Sequence, residues 1–335
     1  MLVPRRPLFA FLLILSVSSV AFASDLITEY PLPKPKAYPT GISVAPNGHV
    51  WFLEYRETRE LEEFNIPTSK SGPIDTAIGR DGIIWFSQED SNALGRFDPK
   101  TKKFKEYLLP TPKTKPASII ASRDGKIWIL GWNSDLLIRF DPAAGKFKEY
   151  EIPTKSSNSY NLAEDPAGRL WFIERAGNKL AMFDPAKEAF KEYPVSLQYQ
   201  SPLGTVVDSK GFVWYIRMVD NKLVKFDPKT EKSEAFAIPK NKGTKEIAID
   251  KKDNIWFVQH TDNRILRFHR NTSMFQIFNI PTLKAKPVSL GIGPKGSVWF
   301  SELGEAKLGF LDIKAVGEMA KKLKVTFKPP KDLFR

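Results

Sequence analysis

This chain is predicted to fold as an all-β ring of like sheets, and three observations carry the prediction. Seven tryptophans, Trp51, Trp85, Trp128, Trp171, Trp214, Trp256 and Trp299, are separated by 34, 43, 43, 43, 42 and 43 residues. Near-copies of one segment recur around them, as in "GIIWFSQEDSNALGRFDPKTKKFKEYLLP" and "GKIWILGWNSDLLIRFDPAAGKFKEYEIP". Each copy reads as four short strands, with no helical periodicity between them. Units of about 40 residues built from four strands stack radially as a β-propeller, here a seven-bladed one of four-stranded antiparallel blades.

The elements of a unit follow in order. Strand a is an apolar stretch such as "GISVA", and a turn follows it at Asn47-Gly48, Asp81-Gly82, Asp124-Gly125 or Gly168. Strand b is "IWF" or "VWF", apolar on both faces and therefore buried on both sides. Strand c is "NKLVKFD" and its variants. It ends in an Asp-Pro turn at Asp98-Pro99, Asp141-Pro142, Asp184-Pro185 and Asp227-Pro228. Aspartate suits the first turn position and proline pre-sets φ of the second. Strand d, "KFKEY", alternates charged and apolar residues as a half-exposed outer strand does.

The ends fit closure. "DLITEYPLP", Asp25 to Pro33, reads as a strand d with no strands a to c before it, while the last unit lacks a strand d. The N-terminal strand is expected to complete the seventh blade, removing the open sheet edges. Unit 1 is shorter than the others, its "WFLEYRETRELEEFNIP" compressing strands c and d. The basic tail, 314–335, lies outside the blades, and "AVGEMAKKLK" within it reads as a short helix.

Composition bounds the setting. Arg5 and Arg6, an apolar run from Leu8 to Leu15 and an Ala21-Phe22-Ala23 site describe a secretory signal peptide over 1–23. The propeller then spans 24–313, and the chain is expected to be secreted or periplasmic, monomeric and not membrane-spanning after cleavage. It has no cysteine, so burial rather than disulfides must stabilise it. A formal charge of +13, spread as lysines along the chain, describes a solvated basic exterior suited to an anionic cell-envelope component. Nucleic acid is a poor reading as a partner, because no recognition motif is present and export is expected.

Function is sought where the copies disagree. In a four-stranded meander the a–b and c–d turns share one face, and here they repeat the same chemistry. The b–c and d–a loops share the other face and vary. The b–c loops supply Glu54, Trp132, Glu174, Arg217, His260 and Glu302; the d–a loops supply Asp75, Ser118, Tyr160, Asn161, Lys245, Glu246 and Ser289. A concave, charged and aromatic mouth on a rigid ring is a ligand-site pattern. Trp132, Tyr160, Glu174, Arg217 and Lys245 are the ligand-binding candidates, with Arg217 and Lys245 favouring a small polar or anionic ligand. Of three histidines, His49 and His269 fall on the scaffold face, leaving His260 as the acid/base candidate. Glu54, Glu174 and Glu302 occupy one repeat position, with ion pairing to a neighbouring Lys or Arg as their plainer reading. No nucleophile elbow, H-E-x-x-H, Walker loop or Cys/His metal cluster appears.

The unit "P.GI....DG.IWF.E...NKLGRFDP...KEY.LP" resembles the repeat of the streptogramin lyases, the virginiamycin B lyase family, over nearly the whole mature chain. The resemblance implies a seven-bladed propeller and a carbon–oxygen lyase reaction that opens a cyclic ester. It further implies a histidine in each of the last two d–a loops, a carboxylate near the second, and a glutamate ending strand b of the last blade that helps hold Mg²⁺. At those positions this sequence has Lys245, Val288, Lys286 and Glu302. Valine cannot exchange a proton, and a lysine repels a metal. Two readings stand. One is an exported binding propeller with no certain cofactor. The other is a lyase-like or lactonase-like enzyme with Mg or Ca at Glu302 and with Glu302 and His260 as catalytic groups.

Overall fold

The computed structural model describes residues 26–32, 39–54, 64–195, 202–239 and 243–316; the side chains of Glu54, Pro202, Leu203 and Lys245 lie outside that description. The expected signal peptide, 1–23, and most of the expected basic tail also lie outside the described residues.

Units 2 to 6 each form a four-stranded antiparallel sheet in the order a, b, c, d. In unit 2 the strands are Pro73–Ile78, Ile84–Gln88, Ala93–Asp98 and Lys103–Leu108. Unit 7 supplies Pro287–Ile292, Val298–Glu302 and Lys307–Leu311, and Ile27–Pro31 is its fourth strand. The register pairs Ile27 with Leu311 and Pro31 with Lys307. Tyr30 stacks on Trp299 at 5.5 Å between ring centroids, as Tyr107 does on Trp85 at 6.2 Å. The N-terminal segment therefore takes the place of a strand d, as its sequence predicts.

Unit 1 departs from the expected four strands. Among the described residues it contributes two, Pro39–Val44 and Val50–Glu54, so the complete four-stranded blades number six. Its expected strands c and d fall partly on 55–63, outside the described residues, and 64–72 holds no strand. Unit 1 is also about nine residues shorter than the others between its tryptophan and the next. Phe64 nevertheless meets Trp51 at 6.4 Å, where strand d of other units brings its aromatic ring.

The core is seven seams between successive units rather than one central mass. Residues of units 2 and 3 share one apolar cluster, units 3 and 4 the next, and so on to Leu32, Ala306 and Leu308, which meet Ile42 of unit 1. The tryptophan of strand b fills each seam. Trp85 lies 5.6 Å from Phe140 on strand c of the following unit, Trp128 equally far from Phe183, and Trp214 from Phe268. A buried aromatic ring contributes most per residue to such a core, which is why the repeat retains it. Strand b of units 2 to 6 is buried at every position.

Turn chemistry follows the sequence pattern. Asp98, Asp141, Asp184 and Asp227 each accept the backbone N–H two residues on, at 2.9–3.0 Å. A threonine in three of the d–a loops also braces the next blade: Thr111 donates its backbone N–H to Glu149 at 3.1 Å, and Thr154 to Glu192 at 3.1 Å. Thr282 does the same to Glu29 of the closing strand at 3.0 Å. Past the last blade, residues 313–316 form one helical turn whose Val316 is buried in the seam of units 6 and 7. No helix among the described residues is long and apolar enough to cross a membrane.

Candidate functional site: the central channel

Strand a is the innermost of each sheet, and the strands a pack against one another around the ring. Their side chains line a central channel. Every strand a carries a register shift near its start, as between Pro73 and Thr76 or Tyr160 and Ala163. At that irregularity a side chain in five of the units reaches across to the next strand a, and glycine, Gly41 or Gly204, holds the position in units 1 and 5. Asp75 accepts the N–H of Ile119 at 3.1 Å, Ser118 that of Leu162 at 3.1 Å, and Asn161 that of Gly204 at 3.2 Å. Ser289 accepts the N–H of Ile42 at 3.3 Å, and Glu246 accepts that of Leu290. These residues occupy one repeat position, which Gly204 holds in unit 5; with it the spacing from Asp75 to Ser289 is 42 or 43 residues throughout.

Two cavities lie along the channel, of about 160 and about 320 Å³, and Asp75, Asn161 and Glu246 line both. These three residues form a girdle between an upper chamber and a lower one. The upper chamber adds Thr40, Ile74, Tyr160 and Val288; the lower adds Ser118, Glu164 and Thr205. Asp75 and Glu246 are partly open to the channel but enclosed by protein otherwise. Burial pushes the Asp75 carboxyl up to about 6, against hydrogen bonds from Ile119, Thr76 and Ser118 that favour its anion. Burial raises Glu246 to about 8, and the nearby Asp75 charge adds to the effect. Tyr160 is raised too, by burial and then by Asp75 and Glu246. At neutral pH the girdle therefore holds about one negative charge and one dissociable proton.

The residues predicted as a site do not all meet there. Trp132 and Tyr160 do come together, edge to face at 5.7 Å across the seam of units 3 and 4, and Tyr160 lines the upper chamber. Glu174 and Glu302 do not reach it. Both are 0% exposed and lie between blades, not in the channel lining. Glu174 faces Thr154, Glu192 and Lys179, with Lys179 at 2.5 Å from Glu192. Glu302 has the equivalent partners Glu29 and Lys307 in unit 7. Burial raises Glu174 to about 7 and Glu302 to about 8, and the second glutamate of each pair adds to the shift. Because strand b ends inside the seam, its last side chain packs against strands c and d.

Arg217 is also unavailable as an anion site. It is 7% exposed and makes two hydrogen bonds to Asp220, at 2.8 and 2.6 Å. Asp220 in turn lies 3.3 Å from Lys222. His260 is half-buried in its b–c loop, its backbone N–H donating to Gly243, and it lines neither chamber. The Lys245 and Glu54 side chains lie outside the described residues.

Sequence reasoning named Asp75 and Glu246 among the variable loop residues without selecting them as a site. Their common repeat position with Ser118, Asn161 and Ser289 was the available signal. For a metal the fit is poor. Among the described residues no three His, Cys, Asp or Glu side chains form a group that could hold a metal, and Glu302 faces one further carboxylate, Glu29, together with the cationic Lys307.

The matched sequence family is the virginiamycin B lyase family, over residues 20–189 and 185–322. No curated protein matches the sequence. Among solved structures, a selenomethionine-substituted virginiamycin B lyase from Staphylococcus aureus is similar over 85% of this chain and 98% of its own, with a TM-score of 0.77 and 24% identity. A streptogramin B lyase structure is similar over 85% and 97%, with a TM-score of 0.78 and 27% identity. A catalytically inactive histidine-to-alanine variant of the S. aureus enzyme with quinupristin covers 85% and 98%, at a TM-score of 0.77 and 24% identity. Closed by its own N-terminal strand and matched along almost its entire length, this chain belongs to the virginiamycin B lyase family.

Proposed function

We propose that this protein is an exported, monomeric binding propeller that takes a small polar molecule into the upper chamber of its channel. We read the ring as seven-bladed, with unit 1 as an abbreviated blade; the unbroken circuit of strands a and the seven seams support that count. The observation that carries the binding reading is the girdle. Asp75, Asn161 and Glu246 line a cavity next to the Trp132–Tyr160 pair, so polar groups and an aromatic wall converge on one space. An anionic ligand loses support, because Arg217 is engaged by Asp220 and the described lining is acidic.

The second reading, a streptogramin lyase-like enzyme, rests on family membership. Against it stand Lys245 and Val288 at the positions where the resemblance implies proton-transferring histidines, and Glu302 enclosed in a seam. A thermal-shift screen of amines, sugars, lactones and depsipeptides tests the binding reading, with Trp132→Ala as the site control. A hit whose shift survives Trp132→Ala undiminished contradicts it. Incubation with quinupristin and Mg²⁺ followed by mass spectrometry tests the lyase reading, and a ring-opened product overturns the preference for binding.

A further inference from the structure

We propose that the face formed by the b–c and d–a loops docks on an anionic lipid surface. The proposal sharpens the expected anionic partner and stands independently of the upper-chamber reading, since it uses residues outside the channel. Four large apolar side chains among the described residues are exposed, and all four lie at this end of the ring. Leu283, 84% exposed, tips the d–a loop between units 6 and 7, and Val219 lies in the b–c loop of unit 5. Leu108 and Tyr30 stand at the rim, at the upper ends of their strands d. There Leu108 pairs with Ala93 and Tyr30 with Leu308, near the start of each strand c.

The same loops carry cations with nothing to neutralise them. Lys70, Lys113 and Lys284 each follow a loop proline, Pro67, Pro110 or Pro281, by three residues. All three are exposed, with φ of 56, 57 and 59°, and Lys286 is exposed at φ 50°. Glycine or asparagine would take that left-handed backbone at less cost, so nothing local calls for lysine there. None of the four has an ion pair among the described residues. Other charges of this face are matched: Lys115 lies 2.8 Å from Glu89, Lys155 3.1 Å from Glu151 and Arg217 2.6 Å from Asp220. Of the exposed charges left in the described b–c loops, Arg175 is basic and Asp90 and Glu305 are acidic, so the lysines set the sign. Asp75 and Glu246 lie inside the channel.

Lysines and apolar tips on one face describe an interfacial anchor. The lysines gain from the negative potential of anionic lipid, and the tips enter the boundary between headgroups and acyl chains. The spread of these residues favours a plane as their partner. They come from units 2, 5 and 7 and from the loops joining units 1 to 2, 2 to 3 and 6 to 7. A flat surface touches them together, whereas a linear polyanion crosses the face along one line and offers Leu283 and Val219 no apolar phase. Docked in this way, the channel mouth faces the bilayer.

Vesicle co-sedimentation of the mature chain, beginning at Ser24, tests this. The protein should partition onto vesicles of equal parts phosphatidylglycerol and phosphatidylcholine and not onto phosphatidylcholine alone. Raising the salt from about 0.05 to about 0.5 M should release most of it. Lys113→Glu combined with Lys284→Glu should lower the partition coefficient about 25-fold or more, at about fivefold per lysine. Lys251→Glu with Lys252→Glu makes the same charge change at exposed positions of the a–b turn of unit 6, on the opposite face. Strands of 6 and 5 residues hold that turn about 17–20 Å away, about two Debye lengths, so this variant should stay within about threefold of the parent. Because the chain has no cysteine, Leu283→Cys accepts a single polarity-sensitive fluorophore, whose emission should shift to the blue on the anionic vesicles. Equal binding to phosphatidylcholine, no binding to either vesicle, or an unshifted fluorophore overturns the proposal. So does an equal loss in the two double variants, or undiminished binding in Lys113→Glu with Lys284→Glu, which would assign the contact to the basic tail. Binding of dextran sulfate without binding of vesicles overturns it in favour of a soluble polyanion.

Discussion

Ring closure by the N-terminal strand makes a quantitative demand on two side chains. Ile27, 6% exposed, belongs to the seam between units 6 and 7; Leu32, 7% exposed, belongs to the seam between units 7 and 1. Truncating a buried Ile or Leu to Ala costs about 2–5 kcal/mol. Both residues lie on the outermost strand, where the cavity can partly collapse, so the low end of that range applies, about 2–3 kcal/mol each. The two sit in separate clusters and the losses should add, to about 5 kcal/mol for the double variant. That is a large part of the ~5–15 kcal/mol that holds a typical domain folded. Urea denaturation followed by tryptophan fluorescence measures it, with Leu108→Ala, 77% exposed on an outer strand, as a control expected within about 0.5 kcal/mol of the parent. A synthetic DLITEYPLP peptide added to a chain lacking that segment should restore the midpoint. If Ile27→Ala and Leu32→Ala both melt with the Leu108→Ala control, closure by this strand contributes nothing and the argument fails.

Other expectations are checked more simply. Glu302 is raised to about 8 from 4.5, so the folded state holds its proton more tightly and stability contributed by that proton falls as pH rises between those values. Glu302→Gln should therefore match the parent near pH 5 and melt higher than it above pH 8; identical pH profiles in thermal denaturation refute the buried, protonated carboxyl. Arg217→Ala should leave the affinity of a hit from the thermal-shift screen within about twofold, because Asp220 already holds the guanidinium; a larger loss by calorimetry returns Arg217 to the site. Gly204 sits at φ +66°, and a Cβ there would meet the Ile247 methyl at 2.3 Å. Gly204→Ala should cost about 1–3 kcal/mol in urea denaturation, and a neutral result would mean that the strand a bulge is not tightly packed.

The scaffold was legible because its signals are repeated and chemically redundant. A tryptophan every 43 residues, an Asp-Pro after each strand c and a stray "TEY" at the N-terminus each point to the same ring. Unit 1 could be read only in part: its nine-residue deficit was visible, but the deficit alone does not say how strands c and d are accommodated. The site was harder to read because loop variability marks a face of the ring without saying how far each side chain reaches. Glu174 and Glu302 vary among the b–c positions, yet strand b ends inside a seam and turns them away from the channel. Arg217 looked like a free cation until Asp220, three residues on, closed over it. Asp75 and Glu246 are far apart in sequence, and only the closed circle of strands a brings them to one cavity.

The closing strand also sets an order of events. Ile27 pairs with Leu311, so this strand cannot find its partner until the rest of the ring has been synthesised. Contacts so distant in sequence bring a loop-closure cost that no local pairing offsets, and they slow the step that makes them. Until then the outer edge of the strand Lys307–Leu311 presents unpaired backbone groups to any passing strand. A ring latched in this way matures last at its join, and the join is where a second chain of the same sequence could substitute its own N-terminal strand. The short, charged segment "ITEYP" limits that exchange less by its affinity than by being tethered to the right partner from birth.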